Sequence, residues 1–127
     1  MLLIKYNAKH VHGQILSQKE TYEQPIISFT ESPRKMYTLI MVDLDALYPE
    51  YLHWMIVNST SIIAEVMYSY QPPTPSSNSH RYYFYLYEQQ NHIYPSQTQH
   101  RSGFSTKDFV NKFNLKLIDE LFFIVQA

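Results

Sequence analysis

The sequence predicts a mainly β protein, a sandwich or a sheet covered on both faces, and three observations carry that reading. Short apolar segments alternate with polar, proline-bearing stretches along the chain. Two of the segments are apolar on both of their alternating faces, as central strands are. Only one stretch shows unambiguous helical spacing. In chain order, the first strands are expected at Leu2 to Tyr6 and Ile26 to Phe29. Met36 to Asp43 and Tyr51 to Asn58 follow; Met36 to Val42 and Trp54 to Val57 supply the doubly apolar runs. Ser59 to Tyr68 fits two patterns, since Ile62, Ile63, Val66 and Met67 make a helical face while the β-branched content favours a strand, and the choice stays open. Gln71 to Ser79 and Gln89 to Ser102 are polar and read as surface loops flanking a strand from Arg81 to Glu88. Between Ser105 and Leu115, Phe109, Val110 and Phe113 share one helical stripe, and Ser105 with Asp108 three residues later forms a cap. A last strand is expected from Leu121 to Val125.

Composition bounds the function. Leu, Ile, Val and Phe make up 35 of the 127 residues and charged residues 17%, a globular balance. Folding a chain of this length hides roughly 68% of its extended surface, enough for one core, so residues 1–127 are expected to form a single domain. A net charge of −1 gives no long-range field for a polyanion, and no nucleic-acid partner is expected. The absence of cysteine excludes disulfides, thiolate zinc sites and cysteine nucleophiles. Gly13 and Gly103 are the only glycines, too few for phosphate-cradling loops or a nucleophile elbow. No apolar run approaches the roughly eighteen residues of a membrane span, and Lys5 interrupts the first one, so a cytoplasmic setting is expected.

The candidate chemistry lies at strand ends. Asp43 closes one apolar strand, His53 shares the alternating face of Tyr51, Met55 and Val57, and His80 opens the aromatic strand after the proline loop. A polar group there needs a partner or a cavity. If the three ends converge, they form an anion pocket: the imidazoles donate to phosphate-like oxygens, and a carboxylate behind one ring fixes its tautomer and favours its charged form. The plainer alternative is that each histidine satisfies a backbone carbonyl. Pro72-Pro73-Thr74-Pro75 has a P-x-x-P spacing but no basic flank, and reads as a rigid rim. The alternating aromatics of Arg81 to Tyr87 read as a buried strand and not as a base-stacking platform. His10 and His12 lack further ligands for a metal, and Asn58-Ser59-Thr60 matches a glycosylation acceptor with no secretory signal to use it. A hydrolase would need Ser77, Ser79 or Tyr82 beside His80 with Asp43 behind, and no oxyanion-hole motif accompanies them.

Taken in order, Tyr37-Thr38-Leu39-Ile40-Met41-Val42-Asp43-Leu44-Asp45-Ala46, His53-Trp54-Met55-Ile56-Val57-Asn58, Pro72-Pro73 and His80-Arg81-Tyr82 resemble the phosphatidylethanolamine-binding protein family, which includes Raf kinase inhibitor proteins and plant flowering-time regulators. The resemblance implies a large antiparallel β-sheet packed with a smaller sheet, and one or two short helices. It implies a non-enzymatic anion pocket formed by Asp43, Asp45, His53, His80 and Tyr82, with Tyr51 at the rim and Pro73 or Pro75 as a wall. The implied partners are a phosphate-bearing small ligand or phospholipid headgroup and a protein kinase or other signalling protein; no cofactor and no metal are implied. Inhibition of a kinase or protease through surface loops, with a vestigial pocket, is the second reading, and a divergent hydrolase the last. Three departures bear on the pocket. Asp43-Leu44-Asp45-Ala46-Leu47 lacks the family's two turn prolines, which predicts a looser rim. Ser76-Ser77-Asn78-Ser79 replaces a Gly-x-Gly, which changes backbone freedom and with it the pocket width, and no C-terminal helix follows Phe123, which predicts a more open mouth.

Overall fold

Alternation decides the first strand: in β1 (Leu2–Tyr6), Leu2, Ile4 and Tyr6 are buried while Leu3 is exposed. The computed structural model describes residues 1–98 and 100–127. After β1 come β2 (Lys9–His10), β3 (Ile26–Phe29), β4 (Met36–Asp43), β5 (Tyr51–Ser59), β6 (Glu65–Tyr68), β7 (Ser79–Gln89), α1 (Thr106–Phe113) and β8 (Lys116–Gln126). They form two antiparallel sheets, a small one in the order β2-β1-β3 and a large one in the order β6-β5-β4-β7-β8. The expected large sheet packed with a smaller one, with one short helix, is what forms.

β4 lies at the centre of the large sheet and is buried from Tyr37 to Asp43, as a strand apolar on both faces must be. One face, through Leu39, Met41, Trp54, Phe84 and Phe123, packs on Leu2, Ile4 and Tyr6 of the small sheet. The other, through Ile40, Val42, Met55 and Val57, is covered by Ile93, Leu115 and the Phe109, Val110 and Phe113 stripe of α1. That helix begins as its sequence indicates: the Ser105 side chain accepts from Asp108 N at 3.1 Å. The Glu50 carboxylate adds a second cap by accepting from the Thr106 backbone and hydroxyl.

The ambiguous segment resolves as a turn and an edge strand. Thr60 N donates to Ile63 O, the Thr60 hydroxyl accepts from Ile62 and Ile63, and β6 pairs with β5. Ile62 and Ile63 are exposed, so a helix there would have had nothing to bury its apolar face against. β8 starts five residues before the expected Leu121, because its first half is a largely exposed stretch carrying Asp119 and Glu120, where polar residues hide the alternation.

Asn58 ends the doubly apolar part of β5 in a left-handed conformation, φ 53°, at 4% exposure. Its amide donates to Ile93 O and accepts from Ile93 N and Gln89 Nε2, each at 2.8–2.9 Å, while Gln89 Oε1 accepts from Asn58 N and the Thr38 hydroxyl. The acceptor asparagine of the Asn58-Ser59-Thr60 pattern is therefore buried and hydrogen-bonded through both its amide oxygen and its amide nitrogen. Only Lys9 and His10 form β2, with His12 beyond it, and among the described residues no group of three metal-ligating side chains assembles. Among the described residues no helix is long and apolar enough to cross a membrane.

Candidate functional site

Strand register brings the predicted residues together. β4 runs antiparallel to both neighbours, so its last residue, Asp43, pairs with Tyr51 at the start of β5 and with Tyr82 near the start of β7. A β-bulge then sets the direction of His53. Met41 pairs with Trp54 and Val42 with Leu52, leaving His53 as the extra residue. Met55 and Val57 pack under the helix, whereas His53 lines a hollow with Tyr51. This corrects the expectation that His53 shares a face with Met55 and Val57: the bulge breaks the alternation between them.

The hollow has a volume of about 250 Å³ and is lined by six of the eight predicted residues, Asp43, Tyr51, His53, Pro75, His80 and Tyr82. The His53 ring lies 5.0 Å from Tyr51 and edge-on to Tyr82 at 5.2 Å; His80 stacks on Tyr82 at 6.4 Å. The other two residues lie elsewhere. Pro73 lines a neighbouring cleft with Lys5 and Lys19, because the proline segment is a partition between two cavities and Pro75 faces the hollow. Asp45 turns outward, where its carboxylate accepts from Arg81 Nε and Nη2, both at 2.9 Å, and from Arg81 N at 2.8 Å. The Arg81 guanidinium holds the Asp45 carboxyl below its usual range. Asp43 Oδ1 accepts from Asp45 N at 2.8 Å, and Leu44 N donates to Arg81 O. Side-chain hydrogen bonds thus brace the turn that lacks the two prolines.

The two imidazoles are held differently. His80 Nδ1 donates to Asp43 Oδ2 at 2.7 Å. His53 Nδ1 donates through a short bond to the Gln71 carbonyl, so half of the plainer alternative holds for this ring. Burial pushes the His53 pKa down against the pull of the Gln71 carbonyl and of Asp43, and the nearby Arg101 and His80 add to the lowering. Burial, reinforced by the Asp43 carboxylate, drives the Tyr82 phenol far above its ordinary value, so it stays protonated. Neither Nε2 has a protein partner among the described residues, and no buried side-chain nitrogen there lacks one, so both Nε2 atoms reach solvent. Each is an acceptor on a neutral ring and a donor on a charged one.

Comparison with known proteins agrees with the fold. The family model described as phosphatidylethanolamine-binding protein matches residues 6–120. The chain belongs to the phosphatidylethanolamine-binding protein family. It is similar to a 26 kDa secreted antigen of Toxocara canis, with 32% identity over 81% of this chain and 46% of that protein, so it spans about half of that relative's length. It is 30% identical to the Arabidopsis thaliana protein FLOWERING LOCUS T over 91% of this chain and 73% of that one. Among solved structures, a carboxypeptidase Y inhibitor complexed with its cognate proteinase superposes with a TM-score of 0.86 at 19% identity, covering 99% of this chain and 82% of the other. A phosphatidylethanolamine-binding protein from Plasmodium vivax gives 0.83 at 20%, covering 99% and 84%.

Two supporting residues escaped the sequence reading. Gln71 accepts from His53 Nδ1 at its carbonyl and from the Tyr51 hydroxyl at Oε1, 3.0 Å away, and its N–H returns to His53 O. Arg101 donates to Leu52 O at 3.2 Å, His53 O at 3.0 Å and Ser69 O at 2.9 Å, with its guanidinium over the Tyr68 ring. Both act largely through main-chain carbonyls, which leave no mark in a sequence pattern. Arg101→Met keeps the stem and removes these bonds, and is expected to cost about 2 kcal/mol. Urea unfolding monitored by circular dichroism measures the loss; an unchanged midpoint would show the clamp to be idle.

Proposed function

We propose that this family member is a non-enzymatic binding protein whose hollow takes phosphate or a phosphorylated headgroup, and through it modulates a signalling or membrane-associated partner. The observation that carries the reading is the convergence of Asp43, His53, His80 and Tyr82 on one hollow, with an Nε2 on each ring that has no partner among the described residues. The similarity to FLOWERING LOCUS T and to a carboxypeptidase Y inhibitor supports a regulatory role without turnover.

Titration with phosphoethanolamine, followed by calorimetry and by amide shifts of Tyr51 and Tyr82, tests the pocket. His80→Ala removes a ring whose bond to a charged oxygen contributes about 1.5–3 kcal/mol, so affinity is expected to fall roughly 10- to 100-fold. Binding is expected to be tighter at about pH 6 than at about pH 8, because a proton on the ring or ligand must join two phosphate-oxygen lone pairs to two nitrogen lone pairs. Equal affinity at both pH values, or an unaffected variant, would falsify the pocket reading. The proteinase complex formed by the similar inhibitor favours one second reading, inhibition through the surface loops. A partner captured equally by His80→Ala and by the unaltered protein would establish it.

A further inference from the structure

The two imidazoles are not equivalent, and their difference reaches beyond binding an anion to choosing which one. His80 has a carboxylate on its Nδ1, and His53 has a carbonyl. A carboxylate next to a ring stabilises that ring when it is charged; a carbonyl in a buried setting compensates far less. The groups facing His53 are Tyr51 on its own strand, Asp43 on β4, His80 and Tyr82 on β7, Gln71 from the proline segment and Arg101 from the stretch before α1. The Gln71 carbonyl and Asp43 favour a charged His53, but burial outweighs both, and the Asp43 Oδ2 is already taken by His80. Among the described residues neither Lys nor Arg lines the hollow: Arg81 is clamped to Asp45 and Arg101 to carbonyls.

We infer that His53 is the proton acceptor of the pocket, its Nε2 receiving a hydrogen bond from the ligand's own P–O–H, and that the pocket therefore selects singly protonated phosphate monoesters over oxyanions that carry no proton. His80 Nε2, when its ring is charged, donates to a second ligand oxygen. With His53 neutral, an unprotonated anion sets oxygen lone pairs against the nitrogen lone pair in a site that already holds the Asp43 carboxylate. A site built to receive a hydroxyl proton rejects the analogue without one far more strongly than it resolves differences of shape.

This inference rests on the proposed anion pocket, and a matched pair of ligands separates the two. Methyl phosphate at about pH 5.5, just below its second ionisation near pH 6, is a monoanion with a proton. Methyl sulfate is a monoanion of similar size without one. Calorimetry is expected to show methyl phosphate binding at least about tenfold tighter, with its affinity falling about tenfold per pH unit above the ligand's ionisation. The His53 Nε2 nitrogen shift is expected to stay in the neutral-ring range when methyl phosphate binds. His53→Gln, whose amide can donate as well as accept, is expected to bring the two affinities within about threefold of each other. Equal binding of both ligands to the unaltered protein, or a His53 ring that becomes charged on binding, overturns the inference and leaves the anion pocket standing. Failure of both ligands to bind overturns the pocket itself.

Discussion

Phe123→Ala is expected to lower the unfolding free energy by about 3–5 kcal/mol, the cost of removing a fully buried ring whose space does not close. Phe123 is completely buried on β8 and touches three other rings: Tyr6 edge-on at 5.4 Å, Tyr82 stacked at 5.4 Å and Phe84 stacked at 5.9 Å. It therefore joins the small sheet to the large one, and β8 to the strand that carries His80. In a domain of this size the loss corresponds to a drop in melting temperature on the order of 15 °C. Phe123→Leu refills most of the volume and is expected to cost about 1–1.5 kcal/mol. Urea unfolding of both variants tests the pair. An alanine variant within about 1 kcal/mol of the parent would mean that the two sheets do not depend on this ring. The site is expected to feel the change as well, since Tyr82, the ring lying between His53 and His80, loses the surface it rests on.

That dependence of the site on the core explains which parts of it were legible in the sequence. Asp43 and His80 stood out because a polar residue at the end of an apolar strand needs a reason, and antiparallel register then brought both ends to one place. His53 was found for the same cause, but its direction was misread: a bulge is a fault in pairing between two strands, and the alternation of one strand carries no trace of it. Pro73 and Pro75 are equivalent in the sequence and fall on opposite sides of a partition, a distinction made only by the path of the loop. Asp45 was read as a pocket residue on the strength of the resemblance, and its own neighbour in space, Arg81, draws it outward. Gln71 sits in a polar loop with no pattern to mark it. The small sheet was visible only as β1 and β3, since β2 has two residues and no periodicity. β6 stayed undecided because edge strands need not hide both faces, and local preference there was balanced between two answers.

Asn58 presents the same lesson in its strongest form, because nothing in the sequence separates it from an ordinary surface acceptor asparagine. Asn58→Ala is expected to destabilise the fold by about 4 kcal/mol, as the sum of two effects of different origin. The first is loss of the amide, which leaves the Ile93 N–H, the Ile93 carbonyl and one Gln89 N–H without their partners in a buried setting. Each such group costs about 1–3 kcal/mol, moderated where the loop at Ile93 can shift toward water. The second is the left-handed backbone, φ 53°, which asparagine tolerates and alanine resists by about 1–2 kcal/mol. Asn58→Gly separates them, since it loses the same amide but adopts this φ without strain. The glycine variant is expected to recover about 1 kcal/mol relative to alanine and to remain well below the parent. Hydrogen exchange gives a second readout: the Ile93 amide, which donates to Asn58 Oδ1, is expected to lose its protection in both variants. If alanine and glycine proved equally stable, the backbone contribution would be absent; if both matched the parent, the buried network would not hold the stretch over the outer face of the sheet. The network joins β4 through Thr38, β5 through Asn58 and β7 through Gln89 at the end of the sheet away from Asp43. Its loss is therefore expected to leave phosphoethanolamine binding at the other end nearly unchanged while the protein remains folded, which sets it apart from Phe123→Ala.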